Sequence, residues 1–185
     1  YLKKFSILKS NKNIINKRGE VDLTIYKKLI SYGQRRLIRG KNIDEYSLKN
    51  DFEKIDVKKF SRINNSANNY IKYRRLACQQ ISNIDSSKRL KFAEIKPGFL
   101  LGNSLNFLAL NNKDDNFFYG IYAICNSILL DWFFRVTSSN NHINNYQIDA
   151  FPMPENKNKI VQLGQYFKKL FFKNKNSKNR NLLEN

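Results

Sequence analysis

The chain has 185 residues, 41% of them apolar, which supports one domain with a real core, or one domain with an appendage. Its formal charge of +19 comes from 34 Lys and Arg against 15 Asp and Glu, and self-repulsion of that size points to a polyanionic partner, nucleic acid before an anionic membrane surface. No apolar run is long enough for a bilayer-spanning helix and no signal peptide opens the sequence; Cys78 and Cys125 lack any CxxC or Cys/His spacing, which argues against zinc and for two buried, reduced thiols in a cytoplasmic protein.

Residues 1–20, beginning "YLKKFSILKS", read as a linker from an upstream domain, with at most one short strand. The main domain is expected over 21–155, a C-terminal helix over 156–175 and a basic polar tail over 176–185. After the Arg18-Gly19 turn, Val21, Leu23 and Ile25 alternate as in a strand. "RRLIRGKNIDEYSL" reads as two short strands about Gly40, and 51–60 as a weak helix followed by an Asn-rich flexible loop at 61–69. In "YIKYRRLACQQIS", 70–82, one strand face carries Arg74, Leu76, Cys78 and Gln80, and the other carries Arg75, Ala77, Gln79 and Ile81. "RLKFAEIKPGFLLGNSLNFLAL" gives three further strands, broken at Pro97-Gly98 and Gly102-Asn103.

The pattern then turns helical. In "NFFYGIYAICNSILLDWFFRV", 116–136, Ile121, Ile124, Cys125, Ile128, Leu129, Trp132 and Phe133 recur at helical spacing, which predicts one buried helix capped by Asp115 or Asn116. Arg135 suits its C-terminal end. A polar loop follows, "SSNNHINNY", and then "QIDAFPMP", expected as an extended crossing because residues before proline avoid helix. Ile160, Leu163, Phe167, Leu170 and Phe171 form the stripe of a last, amphipathic helix, and the Lys/Asn tail from Lys173 reads as frayed. The class is α+β: a twisted, mostly antiparallel sheet, then a buried helix, an extended crossing and a C-terminal amphipathic helix.

Three sets of residues carry possible chemistry. His142, the single histidine, is surrounded by Ser and Asn and has no nucleophile or metal partner nearby, so it reads as loop structure or nucleic-acid contact. Glu94 and Lys96 in "EIK", with Asp85 upstream, have the carboxylate–lysine spacing of metal-dependent nucleases, where the acids hold Mg²⁺ and the lysine positions water. The largest set is cationic and amide-rich: Arg36, Arg39, Lys41, Lys72, Arg74, Arg75, Gln79, Gln80 and Asn83. Arg can bond guanine bidentately, Gln and Asn can bond adenine, and the other cations can hold phosphates. A general RNA-binding domain is the remaining alternative.

"LIRGKNIDEYSL", "RLACQQISN" and above all "YGIYAICNSILLDWFFRVTSSNNHINNYQIDAFPMP" resemble the TaqI-like C-terminal specificity domain of Type II restriction–modification adenine-N6 DNA methyltransferases, a relative of Type I specificity subunits. The resemblance covers roughly residues 35–155, and its C-terminal block is the most specific part. It implies a target-recognition domain over 21–155 that reads double-stranded DNA. Asn141, His142 and Asn144 would fix the polar loop by side-chain to backbone bonds. The chain has no Pro-Pro motif and no Gly-rich loop, so S-adenosylmethionine and the flipped adenine are expected on a catalytic domain of the same polypeptide, with or without a fused nuclease.

Overall fold

The computed structural model describes residues 5–64, 68–111 and 113–181. In the first half lie β1 (Phe5–Ile7), β2 (Ile14–Arg18), β3 (Ile30–Ile38), β4 (Ile43–Asp44), β5 (Ser47–Leu48), β6 (Glu53–Ile55), α1 (Val57–Ile63) and α2 (Asn68–Ile71). Next come β7 (Arg75–Gln79), β8 (Phe92–Ile95), β9 (Leu100–Leu101), β10 (Leu105–Leu110), α3 (Asp115–Cys125) and α4 (Ile128–Thr137). The chain closes with α5 (Asn145–Asp149), β11 (Pro152–Pro154) and α6 (Lys157–Asn181). The architecture is α+β, as the periodicities imply.

A four-stranded antiparallel sheet, ordered β2-β10-β7-β8, forms the centre. Every residue of β10 is buried, because both faces of the sheet are covered. Leu76, Cys78, Phe92, Leu108 and Leu110 pack with α3, α4 and α6. Ala77, Ala93, Ile95, Leu105 and Phe107 meet Ile38 and Leu101 of a second sheet, ordered β6-β3-β9. On that second sheet Leu37, Ile55 and Leu100 pack with Val21 and with Phe60 of α1. Period-2 alternation thus sends neighbouring residues of β7 and β10 into different cores. Burial pushes the thiols of both Cys78 and Cys125 up.

Several expectations are corrected by competing local bonds. Residues 5–20 are no linker within the fold: β1 pairs with β11, and β2 is an edge strand of the central sheet. No strand forms at 21–25, where Asp22 Oδ1 accepts the amides of Thr24 and Ile25 at 2.9 and 3.0 Å and closes a turn instead. The helix expected at 51–60 starts only at Val57, after β6, because Asp56 accepts the Lys59 amide at 3.0 Å as an N-cap worth about 1 kcal/mol. Of the loop expected at 61–69, Ser61–Ile63 close α1, α2 begins at Asn68, and 65–67 lie outside the described residues. The strand expected from residue 70 begins at Arg75.

The long apolar helix is two helices bent by 51° at Asn126-Ser127. The Asn126 side chain holds both backbone groups of Phe92, at 2.9 and 3.1 Å, and Ser127 Oγ caps α4 by accepting the Leu130 amide at 3.1 Å. The bend turns α4 so that Leu130, Asp131 and Phe134 face inward. Ile128 and Trp132, expected in the core, are 83% and 58% exposed, and Leu129 is exposed beside them. No single helix among the described residues is long and apolar enough to cross a membrane.

Within "QIDAFPMP" only Pro152–Pro154 is a strand; Gln147–Asp149 belong to α5, where Asn144 and Gln147 form a capping box. The inner stripe of α6 is Ile160, Gly164, Phe167 and Phe171, whereas Leu163 and Leu170 are exposed. The helix continues through the expected frayed tail to Asn181, and 182–185 lie outside the described residues.

Candidate nucleic-acid interface

Whether a cation can hold a phosphate depends on whether the fold has already neutralised it. Arg75 opens β7 and Arg74 immediately precedes it; the two point to opposite faces, and both are taken. Arg74 Nε donates to Glu94 at 2.7 Å, a second nitrogen pairs with Asp115, and the guanidinium stacks 3.7 Å from the Phe118 ring centre. Lys168 and then Arg74 hold the Asp115 carboxyl below its usual range. Arg75 is fully buried, pairs with Glu20 at 2.9 Å and lies over Phe107 at 5.0 Å. Burial raises the Glu20 carboxyl despite the arginine beside it. Arg75 therefore has no surface with which to reach DNA, and the donors of Arg74 are spent on carboxylates.

The remaining residues of the expected set divide in the same way. Arg39 pairs with Glu53 at 2.8 Å, and Lys41 with Asp51 at 3.1 Å and Glu53 at 3.4 Å. Gln79 Nε2 donates to the Gly40 carbonyl at 2.6 Å, joining β7 to the turn after β3. The Gln80 amide lies 3.0 Å from Asn106 Oδ1, and turned over it meets the Asn103 carbonyl and Arg18 Nε. Asn83 Oδ1 accepts the Asp85 amide at 3.0 Å in an exposed turn. The "RRLACQQISN" segment is held almost entirely by its own protein.

Arg36 and Lys72 differ: neither has a carboxylate partner among the described residues. Arg36 lies over Phe99 at 5.4 Å and Lys72 over Tyr73 at 5.4 Å, positions that fix a cation without discharging it. Two cations outside the expected set join them. Arg35 of β3 and Lys54 of β6 are register partners, both exposed and neither in an ion pair among the described residues. Directly opposed residues on a ladder share a face, so two like charges fall on one face there. The nearby acids are already engaged: Glu53 by Arg39 and Lys41, Asp51 by Lys41, and Asp56 as the α1 cap. "SYGQRR" carried the signal for Arg35, but Lys54 became a candidate only once the register was known.

The other two sets gain little. Glu94 is engaged by Arg74, while Asp85 and Lys96 are exposed. Among the described residues no group of three or more His, Cys, Asp or Glu side chains is placed to hold a metal ion. In the polar loop, Asn141 accepts the amides of Ser82 and Ile84, both at 2.9 Å, and Asn144 engages Gln147. His142 bridges Ile81 through its backbone, and the imidazole is exposed. No protein-family model and no curated protein matches the chain.

Proposed function

We propose that this chain is a duplex-DNA recognition module of a restriction–modification system, acting in the cytoplasm beside an adenine-N6 methyltransferase domain of the same polypeptide. The observation that carries the reading is the Arg35–Lys54 pair: two exposed like charges opposed on a ladder, with no carboxylate partner among the described residues. Like charges so opposed are destabilising in the free protein. A phosphate between the two cations reverses the sign of that term. Arg36 and Lys72 add two more cations, each placed by an aromatic ring.

In this reading the four cations give affinity and register, and sequence choice comes from groups they bring to the base edges. The seven glycines are dispersed, so no Gly-rich loop cradles a cofactor here. S-adenosylmethionine and the methyl transfer belong to the partner domain, which receives an adenine turned out of the stack.

The test is a charge reversal in the full chain, Arg35→Glu with Lys54→Glu. Binding to a labelled duplex, read by fluorescence anisotropy, should weaken about tenfold or more, alike on unrelated sequences, because phosphate contacts carry no sequence information. Unchanged affinity would sink the proposal. Preferential competition by structured RNA over duplex DNA would replace it with the RNA-binding alternative.

A further inference from the structure

Within β3 the ladder skips. Ile30 and Gln34 both pair with Ile55, so Ser31, Tyr32 and Gly33 are looped out between them. Ser31 and Gly33 have φ of 82° and 78°. At Gly33 the conformation needs glycine, because a Cβ there would lie 2.6 Å from the Ile55 carbonyl oxygen. At Ser31 the same left-handed region is occupied by a residue that rarely enters it, so the surrounding ladder holds the bulge against local preference.

The product of this geometry is one exposed aromatic ring. Tyr32 is 68% exposed and stacks on no other ring among the described residues. Other tyrosines, such as Tyr26, Tyr46, Tyr119 and Tyr122, lay their rings against aromatic neighbours. Past the bulge the strand continues into Arg35, opposite Lys54, and Arg36 over Phe99. Bulges re-aim side chains next to functional sites, and an aromatic face beside unneutralised cations is the chemistry that takes an unstacked base with its flanking phosphates.

We propose that Tyr32 is a base-stacking contact: its ring packs on a base already displaced from the helical stack, while Arg35 and Lys54 hold the phosphates beside it. The inference rests on the DNA-binding reading and adds to it a preference for DNA that is locally unstacked. A protein partner for Tyr32 is the competing occupant, but the neighbouring charge complements a polyanion better than a neutral surface.

The probe is a pair of short duplexes, one fully matched and one with a single unpaired 2-aminopurine, bound by the full chain at low salt. The parent protein should favour the unpaired duplex about fivefold or more, the low end for base–aromatic stacking, and should quench the 2-aminopurine emission. Tyr32→Phe should keep both effects. Tyr32→Ala should lose both, with an unchanged melting temperature and an unchanged salt dependence of binding to the matched duplex. Equal preference in the parent and Tyr32→Ala overturns the stacking role while leaving DNA binding intact. Absence of salt-dependent binding to either duplex overturns the DNA reading, and this inference with it. A change in oligomeric state on Tyr32→Ala without a change in DNA preference assigns the residue to a protein interface instead.

Discussion

Arg35-Arg36 and Arg74-Arg75 are the same dipeptide with different fates. Arg74 meets Glu94 and Asp115, Arg75 meets Glu20, and Arg35 meets Lys54. Nothing local distinguishes them, because the deciding carboxylates arrive from 20 to 55 positions away along the chain. That separation explains why the cationic character could be read from composition while the identity of the usable cations could not. The buried pair makes the sharpest single-residue prediction. Glu20→Ala leaves the Arg75 guanidinium unneutralised at a fully buried position and should cost about 3–5 kcal/mol in urea unfolding. The double change Glu20→Leu with Arg75→Met removes both charges and should recover most of that loss. Equal destabilisation by the single and double variants would mean that packing, not the uncompensated charge, sets the cost.

At the scale of elements, α3 and α6 pack backbone to backbone at their glycines. A Cβ on Gly164 would lie 1.7 Å from the Asn116 carbonyl oxygen, and one on Gly120 2.1 Å from that of Ile160. Gly164→Ala therefore has to push the helices apart, loosening Tyr119, Tyr122, Phe167 and Phe171, whose rings pack across the contact. The expected cost is about 1–3 kcal/mol, visible as a lowered melting temperature; an unchanged melt would show that α6 docks loosely. The sequence signals were uneven at this scale. Alternation placed the side chains of β7 on their observed faces, because the strand is regularly paired and covered on both sides. The apolar run 116–136 misled, because the Asn126 side chain binds the Phe92 backbone, 34 residues away, and breaks the helix there. The α6 stripe was right at Ile160, Phe167 and Phe171 but omitted Gly164, since a glycine adds nothing to an apolar count.

For the whole molecule, the ion pairs among the described residues engage only eight cations, Arg39, Lys41, Arg74, Arg75, Lys88, Lys91, Arg135 and Lys168. Arg39, Lys41, Arg74 and Arg75 are neutralised locally, whereas Arg35, Arg36, Lys54 and Lys72, on or beside the second sheet and its flanking α2 segment, are among the many cations of this +19 chain without such partners among the described residues. A site that holds phosphates through these four cations must release about four condensed counterions on binding. The most direct test is therefore the affinity of the full chain for duplex DNA measured across a range of salt concentrations. The log–log slope should be about −4 for ~4 neutralised phosphates, and similar for unrelated sequences. A slope near zero would contradict the account, because it would mean that these cations meet no polyanion.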